Sequence, residues 1–436
     1  MSAEKSVDAA ATAEVEVDRI AAGGDGVGRD PEGRVVFVPR TAPGDRVRVR
    51  FTRVRPRWAR GEPEALLAPG PTRRVPECAH YDDCGGCQLQ HLEPVSQREA
   101  RRQIVEDALQ RIGGIGTAVA EPIAAGSEWG YRNRITLTFE RTESGPVCGY
   151  VRREAANGLF ALEDCPLAEA PIRAAWATLR DAIREDDRLL PEADRLRITL
   201  RASAAGRVAL LIRGGNRKAP GNLERAAGLI PDLESCLWRP ERGEWTLVRG
   251  ADLFADRWGG IELELGPEAF VQVNRRVSDE MDRFLSRASG PPEGRRLVEL
   301  YAGVGVRAMA WAAAGGRATA CDRERDAIEA GRRAAAARGV AVQWLRSPVE
   351  RVVGRLGEAD VIVVNPPRAG LSALVARTLA TTATTRLFYV SCDPSTLARD
   401  LRVLGERWEV AEVQPFDAFP NTAHVETIVR LERASA

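Results

Sequence analysis

Hydrophobic and polar residues alternate with a period of two near the start of the chain. The runs VEVDRI (15–20), RVVFVPR (34–40) and DRVRVRFTRV (45–54) are separated by GGDGVG and APGD turns. Short strands divided by tight turns are typical of a small barrel. The pattern therefore predicts a β-barrel over residues 13–70, preceded by a disordered segment, residues 1–12.

The period changes to that of a helix in SQREARRQIVEDALQRIGG. Its apolar residues from Ala100 to Ile112 recur at helical spacing, Ser96 and Glu99 form a capping-box pattern, and Gly113 is a stop signal. We predict a helix over residues 96–113 whose apolar stripe faces a core, in a position to pack on the C-terminal domain.

The rest of the chain divides into two further domains. The strand-like runs RITLTFE, DRLRITLRAS and GRVALLIRG, with one helix near residues 168–186, predict a central α+β domain over residues 71–255. Strict alternation of helix and strand from about residue 265 predicts a Rossmann-like, doubly wound α/β domain over residues 256–436. The fold class is thus multidomain α/β and α+β, with an OB-like barrel at the N-terminus.

Composition is consistent with two or three domains, and charge adds one local feature. The chain has 436 residues, 44% of them hydrophobic, and a formal net charge of +1. An acid-free run carries seven arginines, whose guanidinium groups could contact phosphates: Arg46, Arg48, Arg50, Arg53, Arg55, Arg57 and Arg60. Because Lys5 and Lys218 are the only lysines, an arginine-rich composition is the alternative explanation.

The N-terminus lacks a signal-peptide pattern, and no apolar stretch is long enough to span a bilayer, so we expect a cytoplasmic protein without membrane contact. Eight cysteines in that compartment indicate metal binding, catalysis or core packing rather than disulfides. With only three histidines, a multi-histidine metal site is excluded.

Four cysteines have the spacing of metal ligands. Cys78, Cys84 and Cys87 lie within ten residues, with Gly85 and Gly86 between the last two, and Cys165 lies far downstream before a proline. A closed set of four thiolates suits an iron-sulfur cluster or a structural zinc ion, and the coordination number does not separate the two. Cys148, Cys236 and Cys321 lie in apolar strands and are expected in the core.

A strand, a glycine-rich turn and a helix follow one another in RRLVELYAGVGVRAMAWAAAG. Gly303 and Gly305 let backbone N–H groups approach a ligand, and Asp322, at the end of the next strand, can bind a ribose diol. The turn also fits a loose dinucleotide fingerprint, so a nicotinamide-dependent oxidoreductase stays open beside an S-adenosylmethionine enzyme.

Two later strands end in polar motifs that would reach the same crevice. DVIVV ends in Asn365-Pro366-Pro367-Arg368, and LFYV ends in Ser391-Cys392-Asp393-Pro394. The carboxyl ends of parallel strands meet at one edge, and an Asn-Pro-Pro turn suits a planar heterocyclic base. We place His424 and Glu426 on one face of a final strand.

Taken together and in order, these motifs resemble the RNA uracil-C5 methyltransferase family. The resemblance rests on Cys-x5-Cys-Gly-Gly-Cys with a remote Cys-Pro, Phe270-Val-Gln272-Val-Asn, the glycine turn, Asn365-Pro-Pro-Arg, Ser-Cys392-Asp-Pro and His424-Val-Glu426. It spans residues 13 to 433, and the N-terminal segment looks like that family's RNA-binding TRAM barrel.

The resemblance implies a role for each motif. Cys392 would be the nucleophile, Glu426 the proton acceptor, and the four metal cysteines the ligands of a [4Fe-4S] cluster. The methyl donor, S-adenosylmethionine, would be bound by Gln272, Tyr301, Gly303, Gly305, Asp322 and Asn365. The RNA would be contacted by Phe270, Arg132, Arg134, Arg368 and His424. Ala302, Glu299 and Asn365 stand where many members have Cys, Asp and Asp.

The implied chemistry explains why a thiol is needed at residue 392. Uracil C5 is a poor nucleophile until a thiolate adds at C6, and a serine would be a far weaker attacking group. We expect the helix dipole to favour the thiolate. The implied partner is RNA, with large-subunit ribosomal RNA favoured over transfer RNA, and the protein is expected to act as a monomer. A catalytically idle RNA-binding protein on the same scaffold is the remaining alternative.

Overall fold

The computed structural model of this chain describes residues 11–124, 126–153 and 158–434. The segment predicted to be disordered, residues 1–12, lies outside these ranges except for its last two residues, and Thr12 already begins a strand. None of the helices within the described ranges is long and apolar enough to cross a membrane.

The N-terminal unit is a closed five-stranded barrel, as predicted. Its strands are β1 (Thr12–Ile20), β2 (Gly26–Arg29), β3 (Val35–Val38), β4 (Arg46–Val54) and β5 (Trp58–Ala68), closed in the order β1-β2-β3-β5-β4. In β4 the valines and Phe51 point inward, while the arginines of the basic run point to solvent. β2 lies in a segment that we predicted as a turn. Glycine is required there, because a Cβ on Gly28 would lie 2.0 Å from the Glu16 carbonyl oxygen.

The helix after the barrel starts earlier than predicted. α1 spans Pro94–Ala108 and continues as a π-turn over Leu109–Gly113. Proline fits the first turn of a helix, and no side chain caps this end, so the predicted Ser96–Glu99 capping box is wrong. The helical backbone ends at Gly113, as predicted, and Gly114, with a φ of 68°, is its left-handed C-cap.

α1 packs on the C-terminal domain. Val105, Ala108 and Leu109 share one hydrophobic core with the strands and helices near the end of the chain. Ile112, the last residue of the predicted stripe, is exposed.

The central unit is a seven-stranded sheet with helices on one face. The strands are β6 (Arg134–Thr142), β7 (Gly145–Val151), β8 (Leu159–Ala161), β9 (Arg195–Ala202), β10 (Val208–Arg213), β11 (Leu233–Arg239) and β12 (Thr246–Gly250), and the helices are α2 (Ala170–Glu185), a 3-10 turn (Asp187–Leu189) and α3 (Leu223–Leu229). The sheet order is β12-β11-β10-β9-β6-β7-β8. The prediction of one helix missed the short α3.

The C-terminal unit is a seven-stranded sheet preceded by a hairpin. The hairpin strands are β13 (Phe254–Trp258) and β14 (Ile261–Leu265), and the sheet strands are β15 (Arg296–Leu300), β16 (Arg317–Asp322), β17 (Val342–Arg346), β18 (Val361–Val364), β19 (Arg386–Ser391), β20 (Trp408–Phe416) and β21 (Glu426–Arg433). The helices are α4 (Arg275–Ser289), α5 (Val306–Ala313), α6 (Arg325–Ala337), α7 (Val349–Val352), α8 (Ala373–Thr381) and α9 (Pro394–Leu404), with 3-10 turns over Val353–Arg355 and Gly405–Arg407.

The sheet order β17-β16-β15-β18-β19-β21-β20 is parallel through β19, as predicted. The predicted strict alternation fails at the end of the chain, where β20 and β21 follow each other without a helix. β21 is antiparallel to both of its neighbours and inserts between β19 and β20.

A buried arginine joins α1 to the segment before β21. Arg101 is fully buried and lies 3.0 Å from the Asp417 carboxylate. It also donates hydrogen bonds to the carbonyl oxygens of Phe419 and Thr422, at 3.1 and 3.0 Å. Burial lowers the pKa of Arg101 and raises that of Asp417, so each ion depends on its partner.

We expect Arg101→Met to lower the free energy of unfolding of the C-terminal domain by about 3–5 kcal/mol, because it leaves a buried carboxylate and two carbonyl groups without partners. Urea denaturation followed by circular dichroism measures the change. The control is Arg102→Met on the same helix, which removes only surface ion pairs and should cost under about 1 kcal/mol. Equal costs for the two variants would contradict the structural role of Arg101.

Candidate active site

The glycine turn after β15 has an unusual backbone. Tyr301, Gly303 and Gly305 all have positive φ, between 56° and 69°. A non-glycine residue in this region is strained, and such strain is concentrated at functional sites. A Cβ on Gly305 would lie 2.7 Å from the Trp344 ring, so Gly305 is needed both for its conformation and for space.

The turn forms one wall of a cleft at the carboxyl edge of the sheet. Five of the predicted site residues line it: Phe270, Gln272, Tyr301, Gly303 and Asn365. Asp322 lies beside this wall, and its carboxylate accepts the N–H groups of Gly303 and Glu324 at 2.8 and 2.9 Å. Gly305 lies behind the turn and does not line the cleft.

The opposite wall of the cleft is fixed from the central domain. Asn133 donates its side-chain amide to the Gln272 carbonyl at 2.9 Å and its backbone N–H to the Val273 carbonyl at 3.0 Å. Phe270, three residues earlier than Val273, is 60% exposed at the rim. An exposed aromatic ring held by a fixed loop is available for stacking.

A buried ion cluster beneath the cleft was missed by the sequence analysis. Glu299 is 3% exposed and accepts the Ala308 N–H at 3.0 Å, and burial raises its pKa to about 7. Arg307 bonds Asp282 at 2.7 Å and lies 3.8 Å from Glu299. Glu299 was noted only as a departure from the family pattern, and nothing in the sequence marked Arg307.

Cys392 directly follows β19, and its neighbour performs the helix capping. Asp393 accepts the N–H groups of Ser395 and Thr396 at 2.9 and 3.0 Å, and Pro394 occupies the first turn of α9. The thiol at residue 392 therefore has no role as a helix cap.

Glu426 lies across the sheet from Cys392. The register of β19 and β21 pairs Ser391 with Thr427, so one step further along the ladder sets Cys392 opposite Glu426. Glu426 is the first residue of β21 and 4% exposed. His424, which we predicted on the same strand, lies in the preceding loop and is exposed, so the placement of both residues on one strand face is wrong.

Burial and nearby charges shift the pKa values of Cys392 and Glu426. Burial raises the pKa of Glu426 to about 7, while Arg307 and Arg368 act against the rise. Burial, and then the Glu426 carboxylate, raise the pKa of Cys392, while Arg368 lowers it. Burial and the neighbouring acid therefore act against the thiolate, in the direction opposite to the expected effect of the helix dipole.

The loop that carries Arg368 is held from α9. Asp400, which is 2% exposed, accepts the Leu371 N–H at 2.7 Å and the Tyr389 hydroxyl at 2.6 Å. Gly370 fits because it has a φ of 76°, and a Cβ there would lie 2.4 Å from the Asp400 carboxylate. The strand, the Asn-Pro-Pro-Arg loop and the helix after Cys392 are thus joined through one buried carboxylate.

The two arginines of the Tyr-Arg-Asn-Arg segment lie in different places. Arg132 lies close enough to Cys84, Cys87 and Cys165 to affect their pKa values, and it also lowers the pKa of His424. Arg134 lines a separate groove on the central sheet. The structure therefore does not bring Arg132 and Arg134 to one surface.

The four metal-type cysteines are neighbours. Burial raises the pKa values of Cys84, Cys87 and Cys165, and Cys78 or Cys165 raises them further through proximity. Within the described ranges, no three Cys, His, Asp or Glu side chains are close enough to hold a metal ion. Cys148, Cys236 and Cys321 are buried in the cores, as predicted.

A wide groove of about 680 Å³ separates the barrel from α1 and the start of α9. Its barrel side carries the edge-to-face pair Phe37 and Trp58, with centroids 6.3 Å apart, and Arg53 lies over the Trp58 ring. Its other side includes Ile112 and Ser395, three residues after Cys392. Aromatic rings with arginines form the usual surface for single-stranded nucleic acid.

Comparisons with protein families agree with this layout. The TRAM domain profile matches residues 10–63, the methyltransferase small domain profile matches residues 276–389, and the tRNA (Uracil-5-)-methyltransferase profile matches residues 350–434.

Individual proteins resemble the chain over nearly its whole length. An uncharacterized RNA methyltransferase of Synechocystis sp. is 32% identical over 94% of this chain and 93% of its own. The 23S rRNA (uracil(1939)-C(5))-methyltransferase of Chromohalobacter salexigens is 32% identical over 96% and 88%. The structure of Pyrococcus abyssi tRNA (uracil-54, C5)-methyltransferase with S-adenosyl-L-homocysteine is 26% identical, with a TM-score of 0.75 over 96% of this chain and 99% of that one.

The neighbours of Cys392 predict how its reactivity changes on mutation. Glu426→Gln should lower the pKa of the thiol, and Arg368→Gln should raise it, because the carboxylate disfavours and the guanidinium favours the thiolate. Since Glu426 titrates at about pH 7, its effect should grow as the pH rises through neutrality. The pH dependence of iodoacetamide labelling, read on the peptide containing Cys392, measures the shift.

The control for this labelling experiment is Glu432→Gln, further along the same strand, where the acid pairs with Arg386 and Arg430. It should leave the labelling curve unchanged. A curve that is identical for Glu426→Gln and wild type would show that the two groups do not interact.

Proposed function

The chain belongs to the family of RNA (uracil-C5)-methyltransferases and transfers a methyl group from S-adenosylmethionine to C5 of a uracil in RNA, and we propose that Cys392 is its nucleophile and Glu426 its proton acceptor. The observation that carries this assignment is the register of β19 and β21, which sets the two residues opposite each other beside the cleft.

In the first step the Cys392 sulfur adds to C6 of the uracil. The electron pair of the C5–C6 double bond moves toward the C4 carbonyl, and C5 becomes an enolate carbon that can attack an electrophile. Arg368, which lowers the pKa of Cys392, assists formation of the thiolate. Such an attack requires the base to leave its stack, and the exposed Phe270 can fill or stack against the vacated position.

In the second step C5 takes the methyl group. S-adenosylmethionine supplies this group on a sulfonium, which leaves as a neutral thioether. We assign donor binding to Gln272, Tyr301, Gly303, Asn365 and Asp322, with Gly305 shaping the turn. Asn365 keeps its backbone N–H on the Leu300 carbonyl at 3.2 Å, so its amide is presented at the end of β18.

In the last step the Glu426 carboxylate removes the proton from C5. The C–H electron pair re-forms the C5–C6 double bond and expels the Cys392 sulfur. A carboxylate whose pKa is raised to about 7 by burial is a stronger base than an exposed glutamate and is still partly ionised at neutral pH. Arg307 and Arg368 keep this buried group from being fully protonated.

We propose that RNA reaches the site through the groove between the barrel, α1 and α9. The Phe37–Trp58 pair and the flanking arginines support this path, and Arg368 and His424 lie near its end at Cys392, where we assign Phe270 to the target base. We propose that Arg132 does not contact the RNA itself. It positions the segment between the metal-type cysteines and His424, and so acts on RNA binding indirectly.

For the substrate we propose 23S ribosomal RNA, the substrate named for the Chromohalobacter relative. Transfer RNA is the second candidate, because the solved structure with the same domain arrangement acts on tRNA. We expect a cytoplasmic monomer. Mapping 5-methyluridine by mass spectrometry in transcripts of both RNAs after incubation with the protein distinguishes the two.

We further propose that Cys78, Cys84, Cys87 and Cys165 hold a [4Fe-4S] cluster. Arg132 supports this, since its guanidinium is buried against these thiols and its Nε has no hydrogen-bond partner. A cluster bound by four thiolates is anionic and would neutralise this charge. Its role would be to tie the loop of residues 78–87 to residue 165.

Cys392 and Glu426 should give opposite results when mutated. Cys392→Ala should abolish methyl transfer and form no covalent species. Glu426→Gln should still attack and transfer, so a methylated protein–RNA adduct should accumulate, because its C5 proton cannot leave. Denaturing gels with methyl-labelled donor and substrate RNA detect the adduct.

The controls for the adduct experiment are Cys321→Ala and Glu432→Gln, which should turn over without accumulating adduct. With 5-fluorouridine at the target, wild type should form the stable adduct as well. Substantial turnover by Cys392→Ala would refute the assignment of the nucleophile.

Anaerobically purified protein should contain about four irons per chain and absorb visible light. Cys84→Ser should lose iron and destabilise the central domain, whereas Cys148→Ala, in the core of the same domain, should keep its iron. Iron analysis and thermal denaturation measure these effects. Stoichiometric zinc without iron would overturn the cluster and restore the zinc alternative.

A further inference from the structure

The central sheet has two very different faces. The face toward α2 and α3 is apolar and fully packed, with residues such as Leu137, Ile198 and Leu210 in one core. The other face carries the alternate residues of the same strands, and on β6 and β9 these are mostly threonines and arginines. The register sets six arginines on this face: Arg134 on β6, Arg195, Arg197 and Arg201 on β9, Arg213 on β10 and Arg239 on β11. Arg195, at the edge, pairs with Glu140.

Part of this basic face is open. A groove of about 230 Å³ is lined by Arg134, Arg197 and Arg213, with Trp245 and Pro267 as its walls. Its floor is flat, because Thr136 and Thr199 pair through their hydroxyl groups at 3.0 Å between the arginines. Arg201 lies deeper, is 3% exposed, and its pKa is lowered to about 10 by burial and by Arg134.

Positive charge exceeds negative charge in the groove. Glu268 is the acid that faces it, and this carboxylate already accepts hydrogen bonds from Arg213, Arg239 and Trp245, each at 2.8 Å. In the described parts of the chain, Arg134 and Arg197 have no carboxylate within ion-pair distance. Arg134 is half-buried and Arg197 is exposed, and arginines without an ion-pair partner create a positive potential that favours an anion.

The groove lies next to the methyl-donor cleft. Pro267 lines the groove, and Phe270, three residues later, lines the cleft. Asn133, one residue before Arg134, holds the loop at Gln272 and Val273. A strand of RNA whose target base stacks or flips at Phe270 would therefore reach the groove within a few nucleotides.

We propose that this sheet face binds the phosphodiester backbone of the RNA strand flanking the target uridine. Arg134, Arg197 and Arg213 contact phosphates, and Trp245, held by Glu268 and lying 5.6 Å from the Arg213 guanidinium, stacks on a base. This inference rests on the proposed RNA methylation and adds a second binding surface, separate from the groove beside the barrel.

The test compares Arg197→Ala, Arg213→Ala and the double variant with wild type. The probe is a fluorescein-labelled transcript on which wild type forms 5-methyluridine, titrated by anisotropy at several salt concentrations. Each arginine that neutralises one phosphate should reduce the slope of log affinity against log salt by about 0.7–1. The double variant should also bind roughly tenfold more weakly at low salt, while S-adenosylhomocysteine affinity stays at the wild-type value.

The matched control is Arg225→Ala on α3, an exposed arginine in the same domain on the opposite face of the sheet. It removes the same charge and should change neither affinity nor slope. If wild type methylates the transcript and the double variant binds it with wild-type affinity and slope, the groove is not an RNA site. If wild type methylates neither 23S rRNA nor tRNA, the proposed function fails first, and this inference fails with it.

Discussion

The antiparallel pairing of β19 with β21 is the interaction on which the active site depends. A parallel sheet presents only the carboxyl ends of its strands at the ligand edge. Inserting β21 in the opposite direction brings the beginning of a strand to that edge, so Glu426 lies near Cys392, one step beyond the paired residues Ser391 and Thr427. Because one residue of slip would turn Glu426 to the other face of the sheet, the buried ladder protects the chemistry as well as the fold.

Burial of charge is the common means by which this protein positions its functional groups. Glu299, Arg307 and Glu426 form a buried group beneath the donor cleft, and Arg101 with Asp417 secures the segment leading into β21. Each ion is costly to desolvate alone, so the groups hold one another in place. The same desolvation raises the pKa of the half-buried Cys392 thiol, the proposed nucleophile, which disfavours its reactive thiolate form.

Local patterns in the sequence predicted local structure well. Alternating valines predicted the barrel, and the glycine turn predicted a cleft, which Gln272, Tyr301 and Asn365 line; their binding of the methyl donor stays a proposal. The errors arose where distant segments decide the outcome. Ser96 looks like a cap, but Pro94 lets the helix begin earlier. Arg132 and Arg134 are two residues apart, yet the cysteine loop covers one and the other faces an open groove, which no local pattern encodes.

The position of β21 has a consequence for biosynthesis. Ribosomes release a chain from its N-terminus onward, and domains generally fold as they emerge. The barrel and central sheet can close early, but β21 is the last described strand and fills an interior place between β19 and β20. Until β21 is synthesised, the place between β19 and β20 is empty and Cys392 has no Glu426 beside it. Arg101 on α1 likewise has no ion-pair partner until Asp417, just before β21, is synthesised. The proposed catalytic pair of Cys392 and Glu426 is therefore incomplete until this region has been translated.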